Sequence, residues 1–254
     1  MKKLIGIIVV LVVIGAVGIF LLSLFAGKII QTGVLKFGPE IAQVDIELER
    51  AHISFLSGAG GLEGFKVHNP EGFSGDHAFY AEHLALDIDP MSILGDKIVI
   101  EEILIIGPHI QFEQRGSENN LKKILENVQS LAGESTEEQT EASQGKKLEI
   151  KRFILQEAKV GVGVGTKPVS ITIPTIELTG LGSGEEGITA SEVIKVLLTE
   201  ITRQVTVAIS QNPDVILKGG SDFLKQAGDS GNSAIKALGG LFGGKKDEEE
   251  KEDN

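Results

Sequence analysis

The stretch KIVIEEILIIGPHIQFE, Lys97 to Glu113, decides how the chain is read. Ile98, Ile100, Ile103, Ile105, Ile110 and Phe112 alternate with polar neighbours at the period of a half-buried strand. Fifty residues later, Leu148, Ile150, Phe153, Leu155, Val160 and Val162 repeat the spacing. Steps of three fall at polar pairs such as Glu101-Glu102 and Lys151-Arg152. Such a step keeps the apolar set on one face only if a residue bulges out or the chain turns. Related spacing runs through Val44, Ile46, Leu48, Ala51, Ile53 and Phe55. It recurs through Leu84, Leu86, Ile88, Met91 and Ile93, and through Val169, Ile171, Ile173, Ile176 and Leu178. Five related segments, with turns at Gly58 to Gly61, Gly107-Pro108 and Gly165 to Pro168, predict a repeated β unit.

These segments hold 28 apolar positions on one side. At about 1.5 kcal/mol each, leaving them wet forfeits roughly 40 kcal/mol, so something covers that face. A second sheet, helices or apolar ligands such as lipid chains are the candidates. The sequence predicts few helices. One spans Asn119 to Leu131, with Leu121, Ile124, Leu125 and Val128 on a stripe. Another runs from Thr189 to Ser210, opened by the capping-box spacing Thr189-Ala-Ser-Glu192. A third, broken by glycines, covers Asp214 to Leu238.

Residues Leu4 to Ala26 are 23 consecutive residues without a charge. At 1.5 Å per residue they span about 34 Å, enough for a hydrocarbon core of about 30 Å. Lys2 and Lys3 precede them, which predicts a cytoplasmic N-terminus and a translocated remainder. A cleaved signal peptide is disfavoured, because Leu24 or Leu21 would occupy a position that wants a small residue. The expected order is then an anchor at 1–27, and a stalk at 28–43 whose helical part Gly38-Pro39 ends. A first β block with its closing helix follows at 44–132, then a polar linker at 133–147. A second β block occupies 148–188, with C-terminal helices at 189–244 and a disordered charged tail at 245–254.

Composition narrows the function. The 254 residues carry 24 Lys+Arg against 36 Asp+Glu, a net charge of −12, which argues against nucleic acid as a partner. Zero cysteine removes thiolate catalysis, iron–sulfur clusters and cysteine-bound zinc. Tyr80 is the single tyrosine and tryptophan is absent, so stacking platforms are not expected. The five histidines, His52, His68, His77, His83 and His109, lack helix-type metal spacing. Gly228-Asp-Ser-Gly231 lies between helical fragments and reads as a helix break. Gly161, Gly163 and Gly165 lead into Lys167-Pro168 and a strand, where a phosphate loop needs a helix. No catalytic residue, metal or cofactor is expected.

The N-terminal span followed by strands of the Lys97–Glu113 type resembles the AsmA-like family of bacterial envelope proteins. Asn69-Pro70-Glu71-Gly72-Phe73, after Ile53-Ser-Phe-Leu-Ser-Gly58, is similar to short members of that group, as is Gly116-Ser117-Glu118-Asn119-Asn120-Leu121. The resemblance covers residues 1–180. It implies an inner-membrane anchor, a periplasmic β-groove and phospholipid as the partner, with envelope proteins as further partners. TamB-like relatives are much longer, and five repeat segments are too few to bridge a periplasm, so a complete conduit is not implied.

The expected fold is mainly β with a few helices, a curved and mostly antiparallel sheet forming a β-groove or half-barrel capped by amphipathic helices. Its lipid-contacting candidates are Ile46, Leu48, Ile53, Phe55, Leu84, Leu86, Ile88, Ile98, Ile100, Ile103, Ile105, Ile110, Phe112, Leu148, Ile150, Phe153, Leu155, Ile171, Ile173, Ile176 and Leu178. The alternative is a membrane-tethered, non-enzymatic scaffold with a closed β core.

Overall fold

The step of three residues proves to be a feature of the whole sheet. A computed structural model describes residues 26–54, 56–116, 118–133, 146–163 and 169–212, without the side chains of 131–133. Among these, the strands are β1 (Ile46–Glu47), β2 (Arg50–Ile53), β3 (Ala59–Val67), β4 (Phe79–Ile88), β5 (Lys97–Ile106) and β6 (His109–Phe112). Then come β7 (Gln114–Arg115), β8 (Glu118–Asn119), β9 (Lys147–Gln156), β10 (Lys159–Val162), β11 (Val169–Thr172) and β12 (Ile176–Leu181). Helix α1 occupies 26–42, α2 Asn120–Gly133 and α3 Ala190–Gln211. All strands but the β7–β8 pair join one curled half-barrel sheet.

Pairing registers reduce this sheet to six long ribbons in chain order. β4 keeps one register across β5 and β6, and β9 with β10 likewise faces β12 with β11. β1 and β2 both follow one register on β3. In every ribbon the inward side chains take a step of three at the same level. The pairs are Leu48 and Ala51, Leu62 and Phe65, Ala81 and Leu84, Ile105 and Pro108, Leu155 and Ala158, and Ile173 and Ile176. The two residues between them turn outward: Glu49-Arg50, Glu82-His83 and Pro174-Thr175 are all exposed. The result is a crease across the sheet. Left-handed backbone supports it at Gly64 (φ 62°), Gly107 (φ 66°) and Glu157 (φ 57°).

The 50-residue repeat is a spatial repeat too. β5 lies parallel to β9 with Ile100 beside Ile150 and Ile105 beside Leu155, and β6 lies parallel to β10 with Ile110 beside Val160. The expectation of mostly antiparallel pairing holds for the other ladders, but the centre of the sheet is parallel. A second step, at Glu101-Glu102 and Lys151-Arg152, shifts the β4–β5 register between Asp87 and Ile88. Across it Lys151 Nζ meets Glu101 at 2.7 Å, and Arg152 bonds Glu102 at 3.0 Å and Glu177 at 2.8 Å. Both expected β blocks therefore share one sheet.

Three expectations are corrected. Residues 28–43 are not a stalk: α1 packs along the β1–β2 edge, where Gln31 Nε2 donates to the Leu48 and Glu49 carbonyls at 2.9 Å each. This covers an otherwise open strand edge. Gly38-Pro39 does not end the helix. It continues to residue 42 and stops at Gln43, whose φ is 52°. Met91 is not an inward strand residue. It sits 73% exposed in the turn after β4. The linker also contracts, because Gly133 closes α2 and Lys147 opens β9.

Helix α3 has the predicted start: Thr189 Oγ1 accepts from Glu192 N, and Glu192 Oε2 accepts from Thr189 N at 2.8 Å. Its Val193, Leu197, Ile201, Val205 and Ala208 lie in the core it shares with α2 and the sheet. α2 is capped by Asn119, whose Oδ1 accepts from Lys122 N at 2.8 Å. Residues 1–25, Phe55, the 134–145 stretch, the expected helix at 214–238 and the tail lie outside the described residues.

Gly107 and Glu157 occupy equivalent crease positions, and a Cβ at Gly107 would meet nothing within 4 Å. Backbone alone therefore sets the cost there. Gly107→Ala is expected to lower stability by about 1 kcal/mol and Glu157→Gly to raise it by about 0.5–1 kcal/mol. Urea unfolding of the two variants measures both.

Candidate functional site

The apolar face of the sheet is the candidate site, and its covering is uneven. At and beyond the crease the central ribbons are closed, while Ile46, Phe65, Val67, Phe79, Val169 and Ile171 on the outer ribbons and ribbon ends are half-buried. Ile110 is 2% exposed and Leu155 and Val160 are 0%. They share one core with Leu121 and Ile124 of α2 and with Ile201 and Val205 of α3. On the other side of the crease, toward the start of α1, the covering thins. Leu86 of β4, Ile98, Ile100 and Ile103 of β5, and Leu148 of β9 are half-buried. Ile150 and Phe153 of β9, one ribbon further on, are 1% and 2% exposed. Among the central ribbons on this side of the crease, the half-buried positions trace a strip along β5.

The helices explain the strip. α1 keeps to the edge, with Gly27 so close to the backbone of Ala51 that no side chain fits between. α2 reaches toward the far end of α1, where Asn127 Nδ2 donates to the Ala42 carbonyl at 3.1 Å. α3 leaves Leu197 and Leu198 half-buried. Ile98 to Ile105 covers about 23 Å of strand, longer than the ~15 Å of hydrocarbon in one bilayer leaflet. At the start of α1 the strip meets a small second core of Ala26, Ile53 and Ile88, against which Ile30, Ile93, Ile98 and Ile100 pack.

The predicted lipid-contacting residues divide accordingly. Leu48, Ile53, Leu84, Ile88, Ile105, Ile110, Phe112, Ile150, Phe153, Leu155, Ile173 and Ile176 are buried, packed by the protein's own side chains. Ile46, Leu86, Ile98, Ile100, Ile103, Leu148, Ile171 and Leu178 are half-buried. Ile100, Ile150 and Ile171 belong to one cluster, so the apolar face is continuous.

Beyond the crease, a polar clasp closes the opposite end. Glu113 is 0% exposed. Its Oε2 accepts from the amides of Ser74 (2.8 Å) and Gly75 (3.1 Å), and its Oε1 from Arg115 Nε (2.8 Å) and Ser74 Oγ (3.2 Å). Asn120, equally buried, donates to Asn69 Oδ1 at 2.7 Å and the Gln111 carbonyl at 2.6 Å, and accepts from Glu113 N at 3.0 Å. The Arg115 guanidinium lies 6.0 Å from the Phe73 ring centroid. The two phrases that carry the family resemblance, Asn69 to Phe73 and Gly116 to Leu121, meet here. Sequence reasoning did not single out Glu113 or Asn69 as a pair, because they stand 44 positions apart. Burial pushes the Glu113 pKa upward. The bonds from Arg115 and the two amides outweigh that and hold the carboxyl below its ordinary range.

The histidines are dispersed. His68 Nε2 lies 2.7 Å from Glu47 and His77 Nδ1 3.2 Å from Asp76, whereas His52, His83 and His109 are exposed. Among the described residues no group of three His, Asp or Glu side chains is placed to hold a metal ion. No helix of the described residues is long and apolar enough to cross a membrane, and Leu4 to Phe25 lie outside them. No protein-family model matches the chain, and no curated protein matches it.

Glu113→Ala leaves two amides and a guanidinium without their acceptor and is expected to cost about 3 kcal/mol. The folded-state pKa of Glu113 is lowered, so its stabilisation is complete above its unfolded value of about 4.3 and drains away as pH falls through the folded value. Glu113→Gln should therefore flatten the acid limb of a stability-against-pH curve while leaving the slope near neutrality unchanged.

Proposed function

We propose that the chain is a single-pass inner-membrane protein of bacteria, with its N-terminus in the cytoplasm and its β-domain in the periplasm, and that this domain shelters phospholipid acyl chains. It would serve lipid handling or outer-envelope biogenesis in the manner of AsmA-like proteins, without enzymatic chemistry. The observation that carries the reading is the half-buried strip Leu86, Ile98, Ile100, Ile103 and Leu148 along the centre of the sheet, with further half-buried apolar positions at Ile46, Ile171 and Leu178 on its flanks. Apolar surface left partly wet at a sheet centre is costly, and a lipid tail lying along it relieves that cost. The uncharged run Leu4 to Ala26 supports the membrane setting. With six ribbons, the domain suits an adaptor or a carrier of single chains better than a conduit.

A second reading is favoured by the closed half of the same face. Twelve of the candidate positions are filled core, as a membrane-tethered scaffold with a closed β core requires. Its partners would bind the polar face.

Photo-crosslinking separates the two. The full chain is reconstituted in vesicles holding a phospholipid with a diazirine on its acyl chain, and adducts are mapped by mass spectrometry. Adducts on residues 97–105 are expected, and Ile100→Asp or Ile100→Trp should lower them about tenfold or more while circular dichroism is retained. Leu155→Asp should simply unfold the domain, at a cost of about 3 kcal/mol or more. Adducts confined to residues 1–27 would leave the scaffold reading standing.

A further inference from the structure

We infer that the hairpin tips beside the start of α1 are a second membrane contact, inserting Leu56, Met91 and Leu94 into the surface of the phospholipid bilayer in which the chain is anchored. This rests on the anchor part of the proposed function and not on the lipid strip.

Among the described residues, four large apolar side chains are at least 70% exposed: Ile29 (70%), Leu56 (81%), Met91 (73%) and Leu94 (82%). They belong to three separate segments, yet all lie at one end of the domain. Ile29 is in α1, three residues after Ala26, the first described residue, which packs on Ile53 and Ile88. Leu56 is at the tip of the β2–β3 turn, and Met91 and Leu94 are in the β4–β5 connection. The two tips adjoin: Ile88 N donates to the Gly58 carbonyl at 3.0 Å, and a Cβ at Gly58 would come within 3.3 Å of Pro90. Single exposed apolar residues are ordinary, but four converging on one end form a patch that wants a partner.

Two observations identify a bilayer as that partner. The described chain begins at this end, and the 23-residue uncharged run finishes at Ala26, inside it. A membrane crossed by that run would face these tips. The tips are also braced like a rigid footing. Asp89 Oδ1 accepts from Met91 N (2.9 Å), Ser92 Oγ accepts from Val99 N (2.9 Å), and Lys146 Nζ holds the carbonyls of Ile93 (2.6 Å) and Gly95 (2.9 Å). Charge is mixed here, with Lys28 and Lys146 against Asp96, Glu185 and Glu186, all exposed, so docking draws on apolar burial more than on anionic lipid.

The chain has no cysteine, so single-cysteine labels are unambiguous. Leu56→Cys, Leu94→Cys and, at the far end, Glu71→Cys are labelled with an environment-sensitive fluorophore in the full chain. The labelled proteins are reconstituted into phosphatidylcholine vesicles, with or without phosphatidylglycerol, containing lipid with spin-labelled acyl chains. We expect the tip labels to be quenched at least about threefold more than the Glu71→Cys label, in both vesicle types. Flotation reads the anchor independently. Tip labels quenched no more than Glu71→Cys in chains that float overturn the inference and leave the anchor intact. Chains that do not float overturn both. Tip labels shielded from an aqueous quencher but unquenched by the lipid mean that protein covers the patch, from a second copy or from this chain, and also overturn it.

Discussion

Each ribbon of the sheet must turn two consecutive residues outward at one level without breaking its pairing with the next. Everything else in the domain depends on this constraint. A one-residue slip in any ribbon would send its apolar set to the solvent face. The chain meets the requirement with glycine or a left-handed residue at Gly64, Gly107 and Glu157, with Pro108 beyond Gly107, and with Pro174 in the last ribbon. Because the steps align, they add up to a crease, and the crease lets a single sheet curl into a half-barrel that three helices cover. The residues thrown outward are mostly polar, so the outer face gains charge where the inner face loses none of its apolar surface.

The legible part of this fold was the part written in side chains. Ile98 to Phe112 and Leu148 to Val162 showed the same pattern, and parallel in-register pairing is the arrangement in which equal patterns lie side by side at every level. The charge pairs Glu101–Lys151 and Glu102–Arg152 follow from the same offset. β3 was not legible, because Gly60, Gly61 and Gly64 leave it few side chains to count. Those glycines answer to backbone and side-chain approach: a Cβ at Gly60 would come within 2.6 Å of the His52 carbonyl, and one at Gly64 within 2.4 Å of Glu49. α1 was misread at Gly38-Pro39, since a tertiary surface can outweigh one lost hydrogen bond. There Gly38 lies against Ile46, where a Cβ would come within 2.7 Å of that side chain. The clasp was hidden for another reason. In one dimension Glu113 ends a strand pattern and Asn120 opens a helix pattern, and only the fold brings Ser74 and Asn69 to them.

The two ends of the domain differ in kind. The clasp end is fastened by charge-assisted bonds in a buried setting, where each bond lost leaves a group unpaired. The opposite end is held by apolar packing of Ala26, Ile53 and Ile88 and by braced turns, with its largest side chains outward. A hairpin tip that serves only to connect strands is served best by Gly, Asn, Asp or Ser. Leucine and methionine at two adjoining tips run against that economy, which is why they point to a partner.

The half-closed strip admits the same test of purpose. α3 packs on α2 and on β11 and β12, and its Val196 and Val207 are exposed at 37% and 38% while the inward residues of β5 stay half-buried. α1 keeps to the edge because Gln31 must satisfy the carbonyls at the β1–β2 break, and Gly27 fixes its depth there. The two helices hold to different parts of the sheet, α1 to the β1–β2 edge and α3 to the last ribbon, and β5 between them keeps its inward residues half-buried. A half-buried apolar strip so framed, running toward the end where the uncharged N-terminal run finishes, is the physical ground on which an acyl chain is a better proposed occupant than water.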